Sequence, residues 1–423
     1  MITIAEKKAE KTKKAKNIDK RLIPEFNIGM IGHVDHGKTT LTETFTGKWT
    51  DTHSEEIKRG ISIRLGYADA TIYKCPKCKG TSAYSTTDKC IKCFSQCEPV
   101  RTISFVDAPG HETLMATVLS GSSLMDGALL LVSASEDCPQ PQTSEHLSAI
   151  GISGIEKIII VQTKIDTVSK EKALENYKQI KEFVKGTIAE NAPIIPISAR
   201  QNVNMDVLIE TIETVMKTPK RDPTKMPKFL IARSFDINMP GTMISNLGGG
   251  VLGGSLMQGQ LKVGDEIEIK PGLKIKDKYE TVRTKITGLQ KAGKNMKEIE
   301  PGGLIGVSTA LDPYLTKSDS LSGSIASHAG KLPDISQNIR LKTSLLKQIV
   351  VASESTGASN IKTGDMLMLT LGTMRTTGSV SSGRSEEIDV SLKSPLCVDK
   401  GDRIAISKLF SGRWRLIGYG EIT

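Results

Sequence analysis

One octapeptide restricts the fold of this chain more than any other segment: residues 32–39 have the spacing G-x-x-x-x-G-K-T. The octapeptide follows an apolar, β-branched run and precedes a helical pattern, which is the setting this motif requires. Its glycines let the backbone N–H groups face a phosphate, and the following helix adds the positive end of its dipole. Lys38 is expected to neutralise the outer phosphates and the Thr39 hydroxyl to bind Mg²⁺. The motif therefore predicts a nucleotide phosphate site between a strand and a helix.

The surrounding residues, 25–216, alternate apolar runs with helical patterns. The expected strands are 27–32, 102–107, 128–133, 157–162 and 193–198. The expected helices are 38–46, 112–123, 143–151, 170–188 and 204–217. This alternation predicts an α/β domain with a parallel sheet that is covered on both faces.

The pattern changes after residue 217. Three prolines within residues 218–227 indicate a linker. Short alternating strands with glycine turns follow it, which is typical of a closed β domain. A second change near residues 331–335 begins another β unit. We therefore expect a basic flexible tail over 1–21, an α/β domain over 22–218, and two β domains over 219–331 and 332–423.

Three further motifs come in a fixed order, each after a predicted strand. They are Asp107-Ala-Pro-Gly110, Thr163-Lys-Ile-Asp166 and Ser198-Ala-Arg200, which resemble D-x-x-G, N-K-x-D and S-A-x. Ligands bind at the carboxyl ends of strands in open α/β sheets, so the ordered set is a much stronger signal than any single motif. The expected nucleotide-binding residues are Asp35, His36, Gly37, Lys38, Thr39, Thr40, Asp107, Gly110, Thr163, Lys164, Asp166, Ser198, Ala199 and Arg200.

Asp166 indicates which base is bound. A carboxylate can accept hydrogen bonds from the ring N–H and the amino group of guanine. Adenine lacks this pair of donors and would leave the carboxylate buried without partners. The sequence therefore predicts GTP rather than ATP.

Four of the seven cysteines form two close pairs, Cys75 with Cys78 and Cys90 with Cys93, in the pattern C-x₂-C-x₁₁-C-x₂-C. Four thiolates at this spacing predict one tetrahedral Zn²⁺, and a closed site of this kind has no open position for catalysis. We interpret residues 74–97 as a zinc knuckle that orders an insertion lacking its own core. A docking surface for a partner or RNA is the alternative, and Cys97 is a nearby spare thiol.

Charge indicates an acidic partner. The formal net charge is +10, and residues 1–21 alone carry eight Lys/Arg and three Asp/Glu. Nucleic acid is the usual partner of such a chain, although a solvated terminus explains the tail more simply. Aromatic residues are only 4%, too few for binding of single strands mainly by base stacking. We find neither a secretory signal nor a membrane-length apolar run, and therefore expect a cytoplasmic protein without membrane contact.

These motifs resemble those of translational GTPases. The octapeptide, Arg59-Gly-Ile-Ser-Ile63 and Asp107-Ala-Pro-Gly-His111 are similar to that superfamily's phosphate loop, switch I and switch II. Within it, the chain resembles the family of γ subunits of archaeal and eukaryotic translation initiation factor 2 over about residues 22–423. The segments that carry this resemblance are 49–56, 64–67, 137–143, 233–236, 311–317 and 413–420.

The resemblance implies a P-loop GTPase domain with a zinc-knuckle insertion, followed by two β-barrels. It implies a heterotrimer with α and β subunits, whose GTP-bound form carries methionylated initiator tRNA to the small ribosomal subunit. It associates Mg²⁺ with Asp35, Thr39, the Gly60 carbonyl and the Ser62 hydroxyl, and gives His111 the role of orienting the attacking water. No arginine is identifiable as a finger in cis, so hydrolysis is expected to be slow without the ribosomal assembly or a partner.

Two residues depart from the family pattern. Ser62 stands where many relatives have Thr, which is expected to loosen the ordered switch. Thr163 replaces Asn, and we predict nucleotide binding weaker by about 1–3 kcal/mol if a buried hydrogen bond is left unmade. Guanine selectivity should survive through Asp166.

Alternative functions remain open from the sequence. One is an elongation-type carrier of aminoacyl-tRNA, and another is the GTPase subunit of a sulfate adenylyltransferase. The third is a zinc nucleic-acid-binding protein with an incidental nucleotide fold, which the four ordered motifs disfavour. Basic residues near glycine turns at 373–379 and 409–415 could contact tRNA phosphates, but the sequence identifies no tRNA-binding residue.

Overall fold

The computed structural model describes residues 19–50, 65–111, 115–276, 278–346, 348–351, 354–357, 360–384, 386–410 and 412–423. The basic residues 1–18 lie outside this part of the chain. So does segment 51–64, which contains Gly60 and Ser62 of the predicted switch I.

The first part of the chain is a layered α/β domain. Its elements, in chain order, are β1 Pro24–Gly32, α1 Lys38–Thr46, β2 Gly66–Lys74, β3 Tyr84–Ser85, β4 Glu98–Asp107, α2 Met115–Ser122, β5 Gly127–Ser133, α3 Pro141–Ile152, β6 Ile158–Thr163, α4 Lys170–Val184, β7 Ile194–Pro196 and α5 Met205–Val215. In the described residues the sheet order is β3-β2-β4-β1-β5-β6-β7. The strands β4, β1, β5, β6 and β7 are parallel, as predicted.

Apolar side chains explain this arrangement. All seven residues of β5 are buried, because helices cover both faces of the sheet. Helix α4 is shorter than predicted: it ends at Val184, and Gly186 then takes a φ of +71° that turns the chain. The strands β2 and β3 were not predicted. They pair antiparallel at the edge of the sheet, where β2 is only half-buried and its sequence lacks a continuous apolar run.

The second part of the chain forms a β-barrel. Its strands are β8 Lys228–Phe235, β9 Val251–Gln258, β10 Leu261–Lys262, β11 Glu266–Ile275, β12 Lys278–Lys291, β13 Lys294–Met296, β14 Glu298–Ile299, β15 Ile305–Thr309 and β16 Ile325–His328. The order is β11-β16-β8-β9-β15-β12-β13, and pairing of β11 with β12 closes the barrel. We call it barrel II.

The third part is a second closed barrel, barrel III. Its strands are β17 Ile335–Leu345, β18 Gln348–Val351, β19 Glu354–Gly357, β20 Met366–Leu371, β21 Met374–Arg384, β22 Glu387–Cys397, β23 Arg403–Phe410 and β24 Arg413–Ile422. The barrel order is β17-β22-β21-β20-β23-β24, and β17 pairs with β24. The predicted fold class, a GTPase domain followed by two β-barrels, is confirmed.

Polar and apolar contacts hold the parts together. The Lys270 ammonium donates to the carbonyls of Leu332 and Pro333, at 3.2 and 3.0 Å, and holds the connection between the barrels. Ala405 and Leu416 of barrel III belong to the same buried apolar cluster as residues of α3. Within the described ranges, no helix combines the length and the hydropathy that a membrane crossing requires.

Candidate nucleotide site and metal centre

The four sequence motifs meet at one cavity of about 510 Å³, at the carboxyl ends of the central strands. Twelve of the predicted nucleotide-binding residues, all except His36 and Asp107, line it together with His111. The lining residues are Val34, Asp35, Gly37, Lys38, Thr39, Thr40, Leu41, Trp49, Gly110, His111, Thr163, Lys164, Asp166, Thr167, Ser198, Ala199 and Arg200. Trp49 was not predicted for this site, because no local motif distinguishes it.

Backbone conformation shapes the phosphate loop. Gly32, Asp35 and Gly37 have φ values of +142°, +60° and +85°, and α1 begins directly afterwards at Lys38. Glycine adopts such values without a Cβ penalty, and Asp tolerates the left-handed region better than most residues. The backbone turns here because Gly32, Asp35 and Gly37 tolerate positive φ values. The loop therefore has the conformation that presents backbone N–H groups to an anion.

Lys38 lies between the phosphate loop and the segment that follows β4. Its ammonium donates to the carbonyls of Gly32 and His33, at 3.0 and 2.6 Å. A Cβ built on Gly110 would lie 2.9 Å from the backbone of His33 and of Val34, besides 2.5 Å from this nitrogen, so only glycine fits this approach. The positive charge is thus held where the outer phosphates of a nucleotide would meet both segments.

His36 and Asp107 do not line the cavity. The His36 ring is buried, with Nδ1 2.9 Å from the Leu131 carbonyl oxygen, and burial lowers its pKa. Its imidazole therefore packs against the sheet, and its backbone is what remains for a phosphate. Asp107 is buried at the end of β4, where one carboxylate oxygen accepts a 2.6 Å hydrogen bond from the Thr50 hydroxyl.

The loop after β6 is tied to the phosphate loop. The Thr163 hydroxyl donates to the His36 carbonyl at 2.9 Å, and this contact is buried. Lys164 has a φ of +58°, which directs the chain into the turn that carries Asp166. The Ser198 hydroxyl accepts from the amide of Gln201 at 3.2 Å and orders the third loop. Thr163 thus links the loop after β6 to the phosphate loop.

Oxygen donors suited to Mg²⁺ lie on the same cavity. Asp35 and Thr39 line it, and hard oxygen ligands are what Mg²⁺ prefers. The other two predicted ligands, Gly60 and Ser62, lie outside the described residues. His111 lines the cavity together with Gly110.

The four paired cysteines converge as their spacing predicts. Their sulfur atoms all lie within 4.8 Å of one another, with Cys75 and Cys93 at 3.4 Å and Cys78 and Cys90 at 3.7 Å. A tetrahedral site with Zn–S bonds of ~2.3 Å has S···S edges of ~3.8 Å. The donor set therefore fits one tetrahedral Zn²⁺. The apolar cluster here consists of cysteines and Tyr73 alone, so the insertion has little core of its own.

One buried residue beside the phosphate loop, His146, escaped the sequence analysis. His146 of α3 accepts a hydrogen bond from the Gly32 amide at 3.1 Å, and it is 1% exposed. Arg415 lies in segment 409–415, whose basic residues could contact tRNA phosphates, although the sequence identified none of them as a tRNA-binding residue. The structure places Arg415 in a buried ion pair with Glu145, at 2.6 Å. Only the periodicity of apolar residues along α3 and β24 could have pointed to His146 and Arg415. Such periodicity identifies buried positions but does not identify their partners.

Comparison with known proteins gives consistent matches along the chain. Family models match for the Elongation factor Tu GTP binding domain at residues 24–218, Elongation factor Tu domain 2 at 249–325, and Initiation factor eIF2 gamma, C terminal, at 337–422. Solved structures of a bacterial selenocysteine-specific elongation factor and of elongation factor SelB from Methanococcus maripaludis have TM-scores of 0.72 and 0.70. Each is 24% identical and covers 95% of this chain, over 58% and 79% of its own length, and these likenesses show the fold alone.

Curated relatives are much more similar. Translation initiation factor 2 subunit gamma from Methanothermobacter thermautotrophicus is 57% identical over 402 residues, which is 94% of this chain and 98% of that protein. The subunit of the same name from Pyrococcus horikoshii is 55% identical over 94% of this chain and 97% of its own length. The chain is a translational GTPase, and it belongs to the family of translation initiation factor 2 γ subunits.

Proposed function

We propose that this chain carries methionylated initiator tRNA to the small ribosomal subunit, with GTP hydrolysis as the release step. One observation carries the proposal. The cavity unites four nucleotide motifs in a chain whose residues 337–422 match the C-terminal model of the initiation factor γ subunit. That match also disfavours the elongation-type carrier and the sulfate adenylyltransferase subunit, the two alternatives that share the GTPase signatures.

The residues of the cavity would divide the work on GTP. Backbone amides of the phosphate loop and the Lys38 ammonium would hold the phosphates, and the Asp166 carboxylate would select guanine. Thr39 and Asp35, with Gly60 and Ser62, would hold Mg²⁺, which neutralises phosphate charge when bound. His111 would orient the water that attacks the terminal phosphate, and this positioning is most of what the reaction requires.

The role of the cysteine cluster would be structural. Cys75, Cys78, Cys90 and Cys93 would bind Zn²⁺ as a clip that orders residues 74–97. Four thiolates would fill a tetrahedral Zn²⁺ site and leave no coordination position open for a substrate, so a catalytic role is disfavoured.

The family and the net charge support an assembly with other subunits and with RNA. The chain would act in a heterotrimer with α and β subunits, in the cytoplasm. A net charge of +10 suits contact with tRNA and with ribosomal RNA, because neutralised phosphates release counterions.

The decisive experiment is tRNA binding by the full chain, alone and with its α and β subunits. Methionylated initiator tRNA and methionylated elongator tRNA are each titrated with GTP and with GDP. We expect GTP to tighten initiator binding by about 5- to 150-fold over GDP, the usual range of coupling between sites. Lys38→Ala is the control and should lose the GTP effect. Equal binding of the two tRNAs, or of the two nucleotide states, would contradict the proposal.

A further inference from the structure

A buried histidine holds the first residue of the phosphate loop. The Nδ1 atom of His146 accepts the 3.1 Å hydrogen bond from the Gly32 amide, so the proton of this neutral ring is on Nε2. On the other side of the same residue, the Gly32 carbonyl accepts from the Lys38 ammonium at 3.0 Å. Both polar groups of Gly32 are therefore fixed at the point where β1 becomes the loop.

The residue next to His146 is bound to a different domain. Glu145 of α3 pairs with Arg415 of β24 at 2.6 Å, and their side chains are only 6% and 5% exposed. Consecutive residues of a helix project about 100° apart. Helix α3 can therefore contact barrel III through Glu145 and the phosphate loop through His146.

Apolar packing joins the same two parts. Leu147, Ala149 and Ile150 of α3 lie in one buried cluster with Ala405 and Leu416 of barrel III. Separation of barrel III from α3 would break the Glu145–Arg415 ion pair and expose the apolar side chains of this cluster to water, and exposure of apolar surface costs free energy. Helix α3 should consequently keep its position only while barrel III is docked against it.

We propose that His146 is a positioning residue for the bound nucleotide, and that the Glu145–Arg415 pair couples barrel III to the phosphate loop. Separation of barrel III from α3 then accelerates nucleotide release. The inference rests on the proposed function only in that the cavity binds guanine nucleotide. It adds a route by which a partner that moves barrel III would control how long the nucleotide stays bound.

The environment of the Gly32 amide should differ between the nucleotide-free and the nucleotide-bound protein. In the nucleotide-free protein the loop can relax, and water can hydrate the Gly32 amide. In the bound state the phosphate contacts hold the loop in place, so an amide without its acceptor stays buried and unpaired. Loss of the His146 acceptor should therefore weaken nucleotide binding rather than affect both states equally.

The first test measures dissociation of fluorescent GDP from the full chain in the presence of Mg²⁺. His146→Leu removes the acceptor, and His146→Asn places an amide oxygen near the position of Nδ1. We expect the leucine variant to release GDP at least about tenfold faster, equivalent to about 1.4 kcal/mol. The asparagine variant should lie within about threefold of the native chain. A purely structural role would lower the melting temperature without this difference in release, and that outcome would overturn the inference.

The second test addresses the coupling. The double variant Glu145→Gln/Arg415→Met removes both charges and leaves neither one unpaired. It should release GDP faster than the native chain while folding normally. Tyr279→Phe is the matched control, because it removes a 2.9 Å hydrogen bond to the Ser394 hydroxyl between barrels II and III, away from α3. This control should release GDP at the native rate.

The outcomes separate this inference from the proposed function. If initiator tRNA is preferred with GTP but neither the leucine variant nor the double variant changes GDP release, the inference is wrong and the function stands. If release responds as expected while tRNA shows no preference, the coupling stands and the function is wrong. Failure of the native chain to bind GDP would overturn both.

Discussion

The hydrogen bond from Thr163 to the phosphate loop can be removed with little other change. Thr163 is 5% exposed at the end of β6, and its hydroxyl donates to the His36 carbonyl at 2.9 Å. A longer contact, 3.4 Å, joins it to the Val132 carbonyl. Thr163→Val keeps the branched shape and removes only the donor. The variant therefore isolates this link between the base loop and the phosphate loop.

The structure sets the expected magnitude. A buried group that loses its partner costs about 1–3 kcal/mol, and the similar volume of valine keeps any cavity cost small. His36 precedes Gly37 and Lys38 in the loop, so a displaced carbonyl would shift the groups that hold the phosphates. We expect the affinity for GDP to fall by about tenfold, equivalent to about 1.4 kcal/mol.

The assay is equilibrium titration of fluorescent GDP with Mg²⁺ present. Thr163→Ser keeps the hydroxyl and serves as the control, which should bind within about threefold of the native chain. Thr163→Asn tests the sequence-based prediction that threonine weakens binding, and it should bind more tightly. If the valine variant binds GDP as the native chain does, the hydroxyl does not hold the two loops in register. Equal affinity of the asparagine variant would refute the sequence-based prediction.

Three other expectations can be checked directly. Metal analysis should find one equivalent of zinc, and Cys78→Ser should lower it while leaving GDP affinity unchanged; under half an equivalent in the native chain would contradict the site. His111→Ala should lower the stimulated GTPase rate by about 100-fold or more with unchanged GDP affinity; an unchanged rate excludes the assigned role. Burial, reinforced by the positive charge of Lys38, lowers the pKa of His146 from 6.5 to about 3. Its contribution to stability is therefore present above pH 6.5 and is lost as pH falls toward 3, at up to about 1.4 kcal/mol per pH unit. Urea unfolding of His146→Asn should show a shallower loss of stability between pH 6.5 and 4.5, and an identical slope would count against this pKa.

The sequence by itself determined the local chemistry. The turn at Gly32 and Gly37, the lysine that follows it and the cysteine spacing are encoded within a few residues, because each depends on short-range backbone geometry or on fixed ligand spacing. Ligands bind at the carboxyl ends of parallel strands, and this rule alone predicts that Gly110, Asp166 and Ser198 meet at one edge of the sheet.

Only the tertiary structure decided which distant residues support that edge. Gly32 and His146 are separated by 114 positions and Glu145 and Arg415 by 270, and no local pattern specifies either pair. The same limit left the ion pair of Arg415 unforeseen and Trp49 out of the predicted site. Periodicity records that a side chain is buried, whereas its partner depends on how whole domains pack. The chemistry of the nucleotide site is thus local, and the control that we infer over it is a property of the packed domains.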